Sequence, residues 1–68
     1  MHAIDVVIYR DEDQWVAQAL NVEVSSFGSS ADEARAAIVE ALALYFEDGE
    51  LVDIHESAEA QIEQLQVA

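Results

Sequence analysis

Hydrophobic positions change their spacing along this chain, and each change marks an element. "AIDVVIYR", Ala3 to Arg10, is rich in β-branched and aromatic residues. Ile4, Val6 and Ile8 share one face of a strand, and Val7 and Tyr9 make the other face partly apolar. The acidic "DEDQ" that follows reads as a turn, and "WVAQAL", Trp15 to Leu20, returns as a second strand to give a hairpin. A third short strand is expected in "VEVSSF", where Val22 and Val24 alternate with Glu23 and Ser25 ahead of Gly28.

In "FGSSADEARAAIVEALALYFEDG", Phe27 to Gly49, the period becomes helical. Ser30 and Glu33 form a capping box, in which the Ser30 hydroxyl accepts the Glu33 N–H and the Glu33 carboxylate accepts the Ser30 N–H. Gly28 lets the chain turn just before the cap. Ala34, Ala37, Ile38, Ala41, Leu44 and Tyr45 fall within a stripe about 120° wide, which predicts the face that meets a sheet. Val39, Leu42 and Phe46 lie outside it on an adjoining face, and Gly49 is the expected C-cap.

The tail is less regular. "EDGELVDIHESAE" is acidic enough to read as a solvated loop or helix end. "AQIEQLQVA" admits two readings. Ala58, Ile62 and Leu65 have helical spacing after a Ser57 cap, whereas Leu65 and Val67 alternate with Gln64 and Gln66 as in an edge strand. Local propensity favours the helix.

Size and composition narrow the class. The 68 residues make one domain, 1–68, which removes only about 60% of its unfolded surface from water, so an oligomer or a partner is expected. Hydrophobic residues make up 53% of the chain at periodic positions, which argues against disorder. Without cysteine there is neither a disulfide framework nor a thiolate metal site. "MHAIDVVIYRDED" lacks the basic region and long apolar run of a signal peptide, and no segment approaches the roughly 18 apolar residues of a membrane span. A soluble, cytoplasmic protein with no membrane partner is the simplest expectation.

Charge changes the picture most. Fifteen Asp and Glu stand against two Arg and no Lys, for a formal net charge of −13. Such a surface repels phosphate backbones, so direct nucleic-acid binding is not expected. The charge either keeps a small protein soluble or is matched to a basic partner. The acidic residues do not assemble into obvious catalytic chemistry. Asp5, Asp11, Glu12 and Asp13 could be imagined as magnesium ligands of a residual nuclease, but successive side chains in a turn diverge and nothing basic is at hand to hold a phosphate. His2 and His55 have no Ser, Cys or metal-ligand partner at a recognisable spacing. Neither enzymatic activity, metal nor cofactor is expected.

From Val6 to Asp48, "VVIYRDEDQWVAQALNVEVSSFGSSADEARAAIVEALALYFED" resembles the HicB-type antitoxin domain. The resemblance lies in an ordered set: a strand ending in a basic residue, an acidic turn, an aromatic followed by Val-Ala, a strand, a small residue with Gly, then a capped acidic helix. It covers roughly two thirds of the chain, and no single element of it is specific. Many members carry Gly and an Asn- or Gln-rich turn near Gln14, Asp-Thr at Ser29 and Ser30, and Asn at Ala37. Ser30 keeps the capping oxygen, while Ala37 loses a polar group that would tie the helix to a neighbouring loop.

The resemblance implies an α+β fold of order β-β-β-α-β, an antiparallel sheet with one helix on one face, like a cut-down RNase H fold. On that analogy Ile62 to Val67 is the final strand. It also implies a protein that binds and neutralises a HicA-type toxin, a small basic mRNA-cleaving protein, in a type II toxin-antitoxin system. The chain as it stands is expected to lack the DNA-binding domain of full-length members, which puts operator binding in doubt. An orphan module that self-associates without a toxin is the alternative, and a metal-dependent nuclease is a more distant one.

Candidate partner-binding residues are the turn carboxylates Asp11, Glu12 and Asp13, the adjoining Trp15, and the cluster Glu47, Asp48 and Glu50, with the turn preferred. Trp15 reads more simply as a core or dimer-interface aromatic. A homodimer is expected from the second apolar side of the helix, Val39, Leu42 and Phe46, and from an unpaired edge at Ile62, Leu65 and Val67.

Overall fold

The computed structural model describes residues 1–57. Strand β1 (His2–Asp11) turns into β2 (Gln14–Ala19), then β3 (Ser25–Gly28), helix α1 (Ala31–Phe46) and β4 (Val52–Glu56) follow. The sheet order is β3-β2-β1-β4, and α1 touches all four strands. The fold is thus α+β in the order β-β-β-α-β, with one helix on a four-stranded sheet.

The sheet is mixed, where an antiparallel one was expected. β1 pairs antiparallel with β2 and β2 with β3, but β4 runs parallel to β1 with Ile4 opposite Ile54. The cause is the helix: a chain that leaves β3, crosses the sheet as α1 and returns must run in the direction of β3, which is also that of β1. Among the described residues, the strand after the helix falls in a stretch expected to be a loop. Val52 and Ile54 alternate with Asp53 and His55 and are half-buried against the core, although the acidity of this stretch suggested a loop. The segment read as the last strand, Ile62 to Val67, lies outside the described residues.

One face of the sheet and one row of the helix make the core. Ile4, Val6 and Ile8 of β1 stand beside Ala19 and Ala17 of β2, and these meet Ala34, Ile38 and Leu42. The buried row of α1 steps by four residues from Ala34 to Leu42, with Phe46 half-buried at its end. Compared with the predicted stripe it is rotated by about 80°. Leu44 and Tyr45 are exposed, and Leu42 is fully buried. Alanines account for the difference: Ala37 and Ala41 weigh as apolar positions in a periodic pattern, but Leu42 and Phe46 bring far more area to bury. On the other face, Tyr9, Val16 and Phe27 lie in register across β1, β2 and β3, and Val16 and Val7 are buried there too.

The third strand is shorter than the pattern suggested. Val22 and Val24 fall in the loop before β3, where the Val24 N–H reaches the Val22 carbonyl at 3.0 Å, yet both pack on the core. Gly28 ends β3, and its role is space rather than turning. A Cβ built there would lie 2.6 Å from the Ala34 backbone nitrogen and 2.7 Å from the Glu33 Cβ. The helix starts as expected at Ser30, whose Oγ accepts the Glu33 N–H at 3.1 Å. The Glu33 carboxylate reaches one residue further back, accepting the Ser29 N–H at 3.2 Å. Ser29, through its side chain first and this N–H second, holds the Glu33 carboxyl below the usual carboxylate range.

Candidate partner-binding surface

The longest strand separates the two acidic clusters. β1 runs from His2 to Asp11, about 30 Å at strand rise, with the hairpin turn at one end and the C-terminus of α1 at the other.

At the turn, Asp11 pairs with Gln14, leaving Glu12 and Asp13 as a two-residue loop. Glu12 sits in the left-handed region at φ 58°, and its carbonyl accepts the Arg10 Nε–H at 3.1 Å. Among the described residues, the carboxylates of Asp11, Glu12 and Asp13 enter no ion pair. Trp15 lies opposite Arg10 in the ladder and packs half-buried against the core cluster. Part of its side chain packs on the core and part stays exposed.

At the other end, Glu47 follows the helix in the left-handed region at φ 54°, its N–H bonded to the Ala43 carbonyl at 3.1 Å. Glu47 is therefore the cap; Gly49, expected in that role, sits two residues on at φ 73° in the loop. Asp48 is tied on both oxygens: Oδ1 accepts the Glu50 N–H at 3.0 Å, and Oδ2 lies 2.6 Å from His2 Nε2. These contacts, the Glu50 N–H first and His2 second, lower the Asp48 carboxyl below its ordinary range. Glu50 Oε1 accepts the Met1 ammonium at 2.7 Å.

Aromatic rings stiffen the same corner. The His2 ring stacks on Phe46 with centroids 3.7 Å apart and planes 4° from parallel. Tyr45 meets Phe46 edge-on at 5.2 Å. The His2 N–H also donates to the Leu51 carbonyl at 2.8 Å. No short-range sequence signal marks His2, which reads as a free terminus; the parallel pairing of β1 with β4, 50 residues apart at His2 and Val52, brings it here.

Both arginines are spent within the chain. Arg10 binds a backbone carbonyl, and Arg35 binds Asp32 and, through Nε at 2.6 Å and Nη2 at 3.1 Å, both oxygens of Glu56. That fork lowers the Glu56 carboxyl and raises the guanidinium further.

Of the expected dimer residues, Val39, Leu42 and Phe46 do not form one exposed face. Leu42 is fully buried beneath the helix and is removed from any outer face, Phe46 lies under His2, and Val39 is half-buried. Ile62, Leu65 and Val67 lie outside the described residues. Among the described residues no group of three or more His, Cys, Asp or Glu could hold a metal ion, and no helix is long and apolar enough to cross a membrane. Compared with known proteins, the chain matches no family model, no curated protein and no solved structure.

Proposed function

We propose that this chain is a HicB-type antitoxin domain of the cytoplasm that binds and neutralises a small basic HicA-type toxin. The supporting observation is the charge on this frame: a net −13 whose two arginines are already engaged by the chain's own carboxylates and carbonyl. A basic protein surface is the complement of such a field, and a phosphate backbone is not. The β-β-β-α-β order agrees with what the sequence resemblance implies.

Co-expression with a HicA-type toxin tests the reading. Growth should be restored, and the two proteins should purify as one complex. A toxin that remains lethal beside abundant, folded antitoxin chain would contradict it.

A further inference from the structure

We infer that the basic partner docks on the face of the sheet away from α1, at its hairpin end, where Phe27 and Tyr9 supply an apolar anchor and Asp11, Glu12 and Asp13 supply charge. This rests on the partner-binding reading above and locates its surface. The ladder makes the patch continuous. Tyr9 of β1 pairs with Val16 of β2, and Val16 with Phe27 of β3, so the three side chains stand in one row, each about 5 Å from the next. Val16 is buried in the middle of the row, Tyr9 is half-buried, and Phe27 is 56% exposed on the outer strand. Asp11 continues the same face, two residues beyond Tyr9 and about 7 Å along the strand. Glu12 and Asp13 form the adjoining loop.

Charge selects the occupant. Among the described residues, the carboxylates of Asp11, Glu12 and Asp13 have no ion pair or hydrogen bond, whereas Asp48 and Glu50 at the far end of β1 are already bonded to His2 and the Met1 ammonium. Both arginines lie off this face: Arg10 stands on the helix face opposite Trp15, and Arg35 belongs to α1. An arginine of a basic protein can therefore pair with Asp11 while its guanidinium lies on the neighbouring Tyr9 ring, and apolar side chains beside it can cover Phe27. A second copy of this chain fits badly. The far end of the same face carries Asp5 and Asp53, so a two-fold contact sets Asp11 either against its own mate or against those carboxylates, with no arginine on either side. Trp15, on the opposite face, is not the anchor.

Titration calorimetry of the full chain with a HicA-type toxin as the probe tests the location. Phe27→Ala should raise Kd about tenfold or more. Reversing Asp11, Glu12 and Asp13 to Lys should raise it by a similar factor. Reversing Glu23, Glu40 and Glu47, three exposed carboxylates elsewhere, alters the net charge equally and should change Kd by about threefold or less. Circular dichroism checks that each variant is folded, and the turn reversal, confined to exposed residues, keeps the test decisive if Phe27→Ala does not fold. If folded Phe27→Ala binds normally, or if the turn reversal costs no more than the control reversal, the location is wrong and the function stands. A wild-type chain that fails to bind overturns the function with it. Sedimentation closes the remaining route: a wild-type dimer that folded Phe27→Ala converts to monomer would assign the surface to a second copy and overturn the proposal.

Discussion

The two ends of α1 are built on opposite principles. At its start, the Ser30 hydroxyl and the Glu33 carboxylate satisfy backbone donors, two acidic residues sit where the helix dipole favours them, and Gly28 lets β3 come against the first turn. At its finish, a glutamate occupies a left-handed position that suits glycine, acidic residues gather at the negative end of the dipole, and large apolar side chains face solvent. One end is arranged for stability. The other departs from that arrangement in three ways.

Substitutions can break that contrast, beginning with the helix row that both ends share. Leu42→Ala should cost about 3 kcal/mol of unfolding free energy in a urea titration, because the side chain has no exposure and leaves a cavity. Leu44→Ala, two residues away on the exposed face, should stay within about 0.5 kcal/mol. Equal losses would mean that the helix presents a different face to the sheet.

Gly28→Ala should destabilise by about 2 kcal/mol, since the neighbours of the added methyl are the Ala34 backbone and the Glu33 stem. A neutral result would show that β3 and the first turn separate easily. The cap pair is smaller and opposite in sign. Ser30→Ala should lose about 1 kcal/mol, whereas Glu47→Gly should gain about 1 kcal/mol by removing left-handed strain. Denaturation midpoints measured side by side would settle both signs, and a loss on Glu47→Gly would remove strain from the contrast.

The weakest expected effect is electrostatic. Glu33, Asp48 and Glu56 all have folded-state carboxyls lowered from their ordinary values. Each therefore adds stability that is complete above the ordinary carboxylate range, near pH 4.5, and is lost as pH falls through the lowered folded value. Midpoints followed from pH 6 down to pH 2 should decline below that range, and less steeply in Glu56→Gln. An unchanged profile in that variant would mean the Arg35 fork contributes nothing.

How much of this could be read from the sequence depends on the range of the interaction. The cap at Ser30 is a local signal between residues three apart, and it is found where expected. The hairpin and the apolar face of β1 are also local, through alternation of Ile4, Val6 and Ile8. The rotation of α1 was misread because alanine counts toward a periodic pattern out of proportion to the area it buries. β4 was missed because five residues with two carboxylates resemble a solvated loop until β1 stands beside them. The corner where His2 meets Phe46 and Asp48 was least legible, since it is assembled through that long-range parallel pairing.

The most direct measurement of the central claim is the association rate of the chain with a HicA-type toxin as ionic strength rises. Steering by a net −13 surface predicts a rate that falls steeply as the screening length shrinks toward about 8 Å at physiological salt. A partner that binds at the same rate from low to high salt would contradict electrostatic recognition.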